Sequence, residues 1–343
     1  VNEEVVLDGS AGEGGGQILR TALSLSLVTG RPFRISKVRA GREKPGLRPQ
    51  HLAAVGAAAR ISSAAVEGAT LGSQDLSFRP GPVTPGTYLF DVGTAGSTTL
   101  VLQTLLVPLA LAGASSDVTI VGGTHNPAAP PFEFVERAFL PVIERMGPRV
   151  RIELQRPGFF PAGGGRIRAW IGSCGRLAPV EILERGDVVA KRARIVVARL
   201  PVHVADRERK VLVQRARMHP SDVSVLGTTD CDGAGNSVAL EIACRGVTEV
   251  VSALGRKGLP AEGVAKEVAD GAATWLETGV PVGAHLADQL LLPLAVAGGG
   301  AFRTVEPTAH TRTNAEVVAR FLPVRIELRA EDRRCWRADV RPA

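Results

Sequence analysis

Apolar and polar positions along this chain switch between a helical and a strand period, and the switch recurs. An aliphatic run over residues 18–28, spaced for a helix, ends at Gly30 and gives way to strand-like alternation over 33–39. Residues 108–113 read Pro-Leu-Ala-Leu-Ala-Gly, and residues 293–298 read Pro-Leu-Ala-Val-Ala-Gly. His125 and His310 lie twelve residues beyond Gly113 and Gly298, and Arg42 lies twelve beyond Gly30. A helix–glycine–strand unit that delivers a polar residue at one offset predicts a fold assembled from a duplicated unit. Three strand ends are then expected to converge on one place.

The pattern predicts a strand over 5–8, a glycine-rich turn over 9–17, a helix over 18–28, a strand over 33–39, a helix over 50–61 and strands near Ala65 and Leu76. A second unit restarts at Phe90-Asp-Val-Gly-Thr-Ala-Gly96, with helices over 99–111 and 133–146 and strands over 118–121, 150–154 and 165–171. A third is expected from Val282-Gly283, with helices over 288–297 and 314–321 and strands over 302–305, 324–328 and 335–340. Each unit reads as βαβαββ, an α/β (α+β) arrangement with helices on one face of a sheet. Residues 185–277 break the series, with strands over 193–198 and 236–243, a helix opening at Pro201 and another starting at Pro260, the favoured first-turn position. The expected organisation is a large repeat domain, 1–184 with 278–343, carrying a smaller inserted α/β domain, 185–277, separable from the chemistry.

Composition narrows the class. At 343 residues two domains are the default, and 45% hydrophobic content excludes a disordered chain. Aromatics are only 4%, so aliphatic packing must build the core. The opening Val-Asn-Glu-Glu lacks the apolar run of a secretory leader. The longest apolar stretch, 98–114, is broken by Gln103 and Pro108 and reads as a buried helix, so no membrane partner is expected. Cys174, Cys231, Cys244 and Cys335 lack metal-type spacing and fit a reduced, cytoplasmic setting. The net charge of +7 suits a polyanionic partner and equally a solubilising surface.

Candidate chemistry clusters at the glycine loops. Gly12-Glu-Gly-Gly-Gly-Gln17 fails the dinucleotide fingerprint, and no P-loop is present. Bare backbone ahead of a helix still lets amides approach an anion, and a tight turn would use the same glycines. Glu13 among such amides favours a bridging metal ion. A second loop, Pro161-Ala-Gly-Gly-Gly165, is flanked by Arg166 and Arg168. Arg39, Arg42, Lys44 and Arg48, followed by Gln50 and His51, suit a phosphodiester backbone or a solvated loop. His310, between small neighbours, is a competent nucleophile towards activated phosphorus or a satisfied structural residue. No Gly-x-Ser-x-Gly elbow supports a serine triad, and no His/Cys set accompanies His125 and His310 as a metal site.

End to end, the chain resembles the RNA 3'-terminal phosphate cyclase family. The likeness rests on Leu7-Asp8-Gly9, Gly12 to Arg20, Arg39-Ala-Gly-Arg42, Lys44-Pro-Gly-Leu47, Gln50-His51, Gly96-Ser97 and Leu102-Gln103-Thr104. It continues through Gly122-Gly-Thr-His-Asn-Pro127, Pro130-Pro131, Phe160-Pro-Ala-Gly-Gly-Gly165, Asp288-Gln289, Pro293, His310, Thr313-Asn314 and Phe321-Leu-Pro-Val324. The resemblance implies a three-unit domain with an insert, and ATP-dependent conversion of an RNA 3'-phosphate to a 2',3'-cyclic phosphate. It implies that His310 takes AMP from ATP, and that Gln103 and His285-Leu286-Ala287-Asp288-Gln289 contact the nucleotide. It also implies that Glu13 binds a divalent cation (Mg2+ or Mn2+) and that Pro130 or Pro131 walls the adenine. Arg20, Arg39 and Arg42 are implied at the pyrophosphate or RNA end, beside Gln50 and His51. Gln17, Gln103 and Gln289 are expected at near-equivalent helix starts. The family pattern carries tyrosine where this chain has His285, which implies weaker or pH-sensitive base stacking. In the inserted domain, Arg207, Arg209, Lys210, Arg215 and Arg217 suit a helix against RNA or a solvated face. The alternative function is a catalytically silent relative serving as a scaffold in ribosomal RNA maturation; His310 and Glu13 weigh against it.

Overall fold

A computed structural model describes residues 3–343; Val1 and Asn2 of the opening tetrapeptide lie outside the described residues. The first six elements are β1 (Val5–Asp8), α1 (Gln17–Thr29), β2 (Phe33–Ser36), α2 (Pro49–Ser62), β3 (Ala65–Glu67) and β4 (Leu76–Arg79). They form a sheet ordered β1-β2-β4-β3, in which only β1 and β2 run parallel. Next come β5 (Thr87–Asp91), α3 (Thr98–Ala110) and β6 (Ser116–Gly122). A helix follows in three pieces: α4 (Phe132–Phe134), a π-helical turn (Val135–Phe139) and α5 (Leu140–Arg145). With β7 (Val150–Arg156) and β8 (Gly165–Ile171) the second sheet is ordered β5-β6-β8-β7, again with only its first pair parallel.

The chain then makes β9 (Val180–Ile182) and leaves that layer for β10 (Val188–Ala198), α6 (His203–Arg215), β11 (Val223–Thr228), β12 (Gly235–Cys244), β13 (Thr248–Leu254) and α7 (Ala261–Thr278). These strands form their own sheet, β11-β10-β12-β13. It returns through α8 (Ala284–Val296), β14 (Gly300–Thr304), α9 (Ala309–Phe321), β15 (Val324–Ala330) and β16 (Trp336–Pro342). The last sheet is ordered β15-β16-β14-β9, and β9 runs parallel to β14. Its opening strand is therefore β9, ahead of residues 185–277, and not the segment at Val282 that the sequence pattern favours. Val282 only adds one parallel bridge to Thr304 along the same line, as Ser97 does to Gly123 in the second sheet.

Two helix starts also differ from the sequence expectation. Helix α8 begins at Ala284, which moves Asp288 and Gln289 into its second turn. Helix α9 begins at Ala309, because Thr308 caps it by accepting from Thr311 N at 3.2 Å. His310 thus sits in a helix's first turn, not at a strand end.

One apolar core runs through the three sheets of like order and takes in Ala239 of β12, Val250 of β13 and Val247 of the turn between them. Aliphatic residues dominate it, with Phe33 stacked on Phe78 at 5.7 Å. Helix α1 packs against α9, α3 and α2, and α8 packs against α9 and α1. The 188–278 layer has a second core around Ile195, Leu240 and Trp275. Its basic helix is tied inward: Arg207 pairs with Glu262 at 2.5 Å and Arg215 with Asp270, joining α6 to α7. No helix among the described residues is long and apolar enough to cross a membrane, and the four cysteines are free thiols.

Glu208 of α6 is buried in this second layer; its Oε2 accepts from Asn236 Nδ2 at 3.0 Å, and its Oε1 has no partner. Burial pushes the carboxyl up to about 7. The folded state therefore holds a proton that the unfolded chain has released, and this group's contribution to stability falls as pH rises from the unfolded value through about 7. Glu208→Gln removes the titration. Its melting temperature relative to the native chain should be higher at pH 8 than at pH 5.5; the same offset at both values would refute the assignment.

Candidate active site

The turn between β1 and α1 is held at its base by Asp8, which accepts from Ser10 N at 2.9 Å and Ser10 Oγ at 2.6 Å. Several glycines in it are required by space, two of them by contacts with the site. Gly12 has φ 56°, and a Cβ there would overlap the Thr313 side chain of α9; a Cβ at Gly16 would enter the His51 ring. The close approach lets Glu13 N donate to Thr313 Oγ1 at 3.1 Å, so the loop is fastened to α9. Glu13 pairs with Arg42, and its Oε2 is buried without a hydrogen-bond partner.

His310 Nδ1 lies 2.7 Å from Gln17 Oε1 and 3.4 Å from Glu13 Oε2. Gln17 Nε2 donates to Asp288 Oδ1 at 2.5 Å. A carboxylate only accepts, so Gln17 must turn its amide nitrogen to Asp288 and its oxygen to His310. Nδ1 of His310 then carries the proton and Nε2 keeps a lone pair. The side chain is 51% exposed, which leaves that nitrogen accessible. Asn314 completes the frame: its Nδ2 donates to the Asp288 carbonyl at 2.8 Å, and its Oδ1 accepts from the Thr21 hydroxyl at 2.7 Å. Burial pushes the Asp288 carboxyl up, while the Gln17 hydrogen bond and Arg20 pull it back towards the charged form.

Positive charge collects beside this frame. Burial lowers the Arg20 guanidinium to about 10, with Asp288 opposing the shift. Arg39 is lowered by burial and by Arg48. His51 is depressed to about 3, first by burial and then by Arg20, Arg39 and Arg48, so it stays neutral. Its Nδ1 accepts from Arg48 N at 3.0 Å and caps α2. Arg39 also has a local task, donating to the carbonyls of Lys44 at 2.6 Å and Gly46 at 3.1 Å. Crowded cations that oppose one another's charge favour an anion among them.

Across the helices, Gln103 donates to Gln289. Gln17 is the first residue of α1, whereas Gln103 and Gln289 are each the sixth of their helices, so the three are not equivalent in position. Helix α8 exposes His285 and buries Leu286 and Ala287 in the core, which leaves only their backbone for a ligand. Pro130 and Pro131 are half-buried, and the Pro130 carbonyl accepts from Thr99 Oγ1 at 2.7 Å. Gln50 packs against Gly96.

The shared sequence offset divides here. Arg42 and His310 both meet Glu13, but His125 does not join them. It is fully buried, stacked on Phe159 at 5.1 Å, with Nε2 3.0 Å from Glu133 Oε2. The reason is local: His125 follows β6 and bridges to Phe159 as extended chain, whereas the same offset carries His310 into a capped helix. No cluster of three His, Cys, Asp or Glu among the described residues could hold a metal ion. A depression of about 620 Å3 lined by Thr87, Asp117, Arg151 and Trp170 contains none of the candidate residues. Thr21 was not singled out by sequence reasoning; only its being a polar residue on an otherwise apolar helix face could have signalled it.

A half-exposed imidazole with a free nitrogen, beside a carboxylate and several guanidinium groups, is equipped for nucleophilic attack at phosphorus. The pattern that defines the family described as RNA 3'-terminal phosphate cyclase matches residues 11–328. A Koribacter versatilis protein described as an RNA 3'-terminal phosphate cyclase is 52% identical over 333 residues, which span 97% of this chain and 94% of that protein. One from Ectopseudomonas mendocina with the same description is 49% identical over 337 residues, 98% of each chain. This chain belongs to the RNA 3'-terminal phosphate cyclase family.

The contact between Gly12 and Thr313 is open to a direct check. Gly12→Ala combines a left-handed backbone angle with the overlap and should cost about 1–3 kcal/mol in urea unfolding. A variant as stable as the native chain would mean that the loop and α9 are not held together at this point.

Proposed function

We propose that this protein converts an RNA 3'-terminal phosphate to a 2',3'-cyclic phosphodiester at the expense of ATP, with His310 as the nucleophile. The observation that carries the assignment is the Asp288–Gln17–His310 chain, which holds the proton on Nδ1 and leaves Nε2 free. Nε2 attacks the α-phosphorus of ATP; an N–P bond forms, the bond to the β-phosphate oxygen breaks and pyrophosphate leaves. An oxygen of the RNA 3'-phosphate then attacks the histidine-bound adenylate phosphorus and releases His310. Finally the neighbouring 2'-hydroxyl loses its proton as it attacks the 3'-phosphorus, and AMP departs. Adenylation is needed because a phosphate monoester has no good leaving group; the adjacent hydroxyl then acts with a large proximity advantage.

The remaining residues divide between the two substrates. Arg20, Arg42, Arg39 and Arg48 neutralise the pyrophosphate or the RNA end, and His51 and Gln50 shape that wall. Gln103 and Gln289, exposed His285, the backbone of Leu286 and Ala287, and Pro130 with Pro131 surround the nucleoside. Glu13 suits a Mg2+ or Mn2+ ion completed by phosphate oxygens, because its Oε2 is buried and unpartnered. Such an ion would offset charge on the triphosphate.

We also infer that the three sheets of like order are one βαβαββ unit used three times, and that residues 185–277 are inserted in the third. Support comes from the point of departure: the chain leaves after β9, where the other two units place a loop before their first helix.

The assignment is tested by incubating the protein with ATP labelled at the α-phosphate. Label should become covalently attached, resist alkali, be lost in acid as a phosphoramidate, and be absent from His310→Ala. Label persisting in that variant would overturn the role of His310. In the same assay Gln17→Leu should slow labelling about tenfold, the effect of roughly one lost hydrogen bond. Glu13→Ala should weaken its metal dependence while leaving the circular dichroism spectrum intact; native rates in either variant would remove that residue from the scheme.

A further inference from the structure

The inserted segment reaches the start of α8 through Glu249. Glu249 of β13 is 5% exposed, and both its carboxylate oxygens are engaged by backbone donors. Oε2 accepts from Gly283 N at 2.8 Å, and Oε1 accepts from Val250 N at 3.0 Å. Gly283 is the N-cap residue of α8 and has no side chain with which to cap it. A Cβ at position 283 would enter the Glu249 carboxylate, so the glycine and the glutamate fit each other. Glu249 therefore does from another layer of the fold what the third-position side chain of a capping box does locally, accepting from the N–H of the N-cap residue; burial pushes its carboxyl up to about 7, and the two backbone donors pull it back.

Helix α8 carries His285, Asp288 and Gln289, and Asp288 sets Gln17, which sets His310. A displacement of the α8 start is thus two hydrogen bonds from the nucleophile. The surroundings make the link firm. Val247 and Val250 belong to the main core, β13 packs against the π-helical turn, that turn packs against α8, and Arg145 donates to the Gly246 carbonyl at 2.9 Å. By contrast Glu208, the other buried carboxyl of this segment, bonds only within its own layer.

We propose that Glu249 is a positioning residue for the nucleotide helix, through which residues 185–277 take part in adenylation of His310. This rests on the adenylation reading above, and it reverses the separability expected from the sequence: a protein lacking the segment would lose the cap of α8 with it.

The test uses the full chain, labelling with α-phosphate-labelled ATP and varying its concentration. Glu249→Ala should raise the ATP concentration for half-maximal labelling about fivefold, with a smaller change in the maximal rate. Glu249→Gln keeps an acceptor for Gly283 N–H and should recover most of that loss. A folded Glu249→Ala that saturates like the native protein overturns the proposal, as does a Gln variant impaired as much as the Ala variant. Should Glu249→Ala fail to fold, Gly283→Ala, which displaces the carboxylate, decides instead. It should raise half-saturation similarly, and native behaviour overturns the proposal. If the native protein takes no label at all, the adenylation reading fails on its own. Faster amide hydrogen exchange over residues 284–288 in Glu249→Ala, or its absence, then still tells whether the cap exists.

Discussion

Asp288 is a part-buried carboxyl, and burying one is tolerable only where donors meet it. Gln17 supplies one at 2.5 Å, Arg20 supplies positive potential, and Asn314 takes the carbonyl of the same residue. Hydrogen bonds to a charged group contribute about 1.5–3 kcal/mol net, and a stranded partner costs as much or more. Three helices, α1, α8 and α9, therefore have to meet at this carboxyl in one arrangement. The protonated nitrogen of His310 follows from that arrangement.

The cationic side of the site works by the opposite logic. Burial first, and then the charges of Arg20, Arg39 and Arg48, depress His51 to about 3. His51 answers by staying neutral and capping α2 through Nδ1, so it adds shape without adding charge. Asp288 and Glu13 offset part of the remaining field, and a phosphate would offset the rest. The glycine loop matters here for its lack of volume: the Glu13 carboxylate, Thr313 and the His51 ring occupy the space that side chains at positions 15, 12 and 16 would need.

The layer formed by residues 185–277 is bound to the main body by more than its two chain crossings. Phe159 packs with Val196, Ala198 and Cys231, Arg156 pairs with Asp230 and Asp232 at 2.8 Å each, and Arg194 approaches Glu133 and Glu136. Burial works against the charge of Glu133, but His125 and Arg194 hold its carboxyl below the usual range. His125, which the sequence offset pairs with His310, thus belongs to the docking of this layer and not to the frame around His310.

Sequence alone determined what short-range physics controls. Hydrophobic period placed most helices and strands, the recurrent Pro-to-Gly segments announced repetition, and glycines around Glu13 marked a backbone that something must approach closely. The family motifs pointed to His310, Glu13, Gln17 and Asp288. Tertiary structure decided which atoms of these residues face one another. Gln17 meets His310 across 293 positions of chain and Asp288 across 271, separations at which no local propensity acts. It also decided that β9 opens the last sheet, since a three-residue strand gains its identity only from its partner β14. The cap of α8 was hidden for a similar reason. Gly283 has no side chain to offer the helix start, and the carboxyl that meets it comes from Glu249, on a strand whose own alternation predicts nothing about a neighbouring helix.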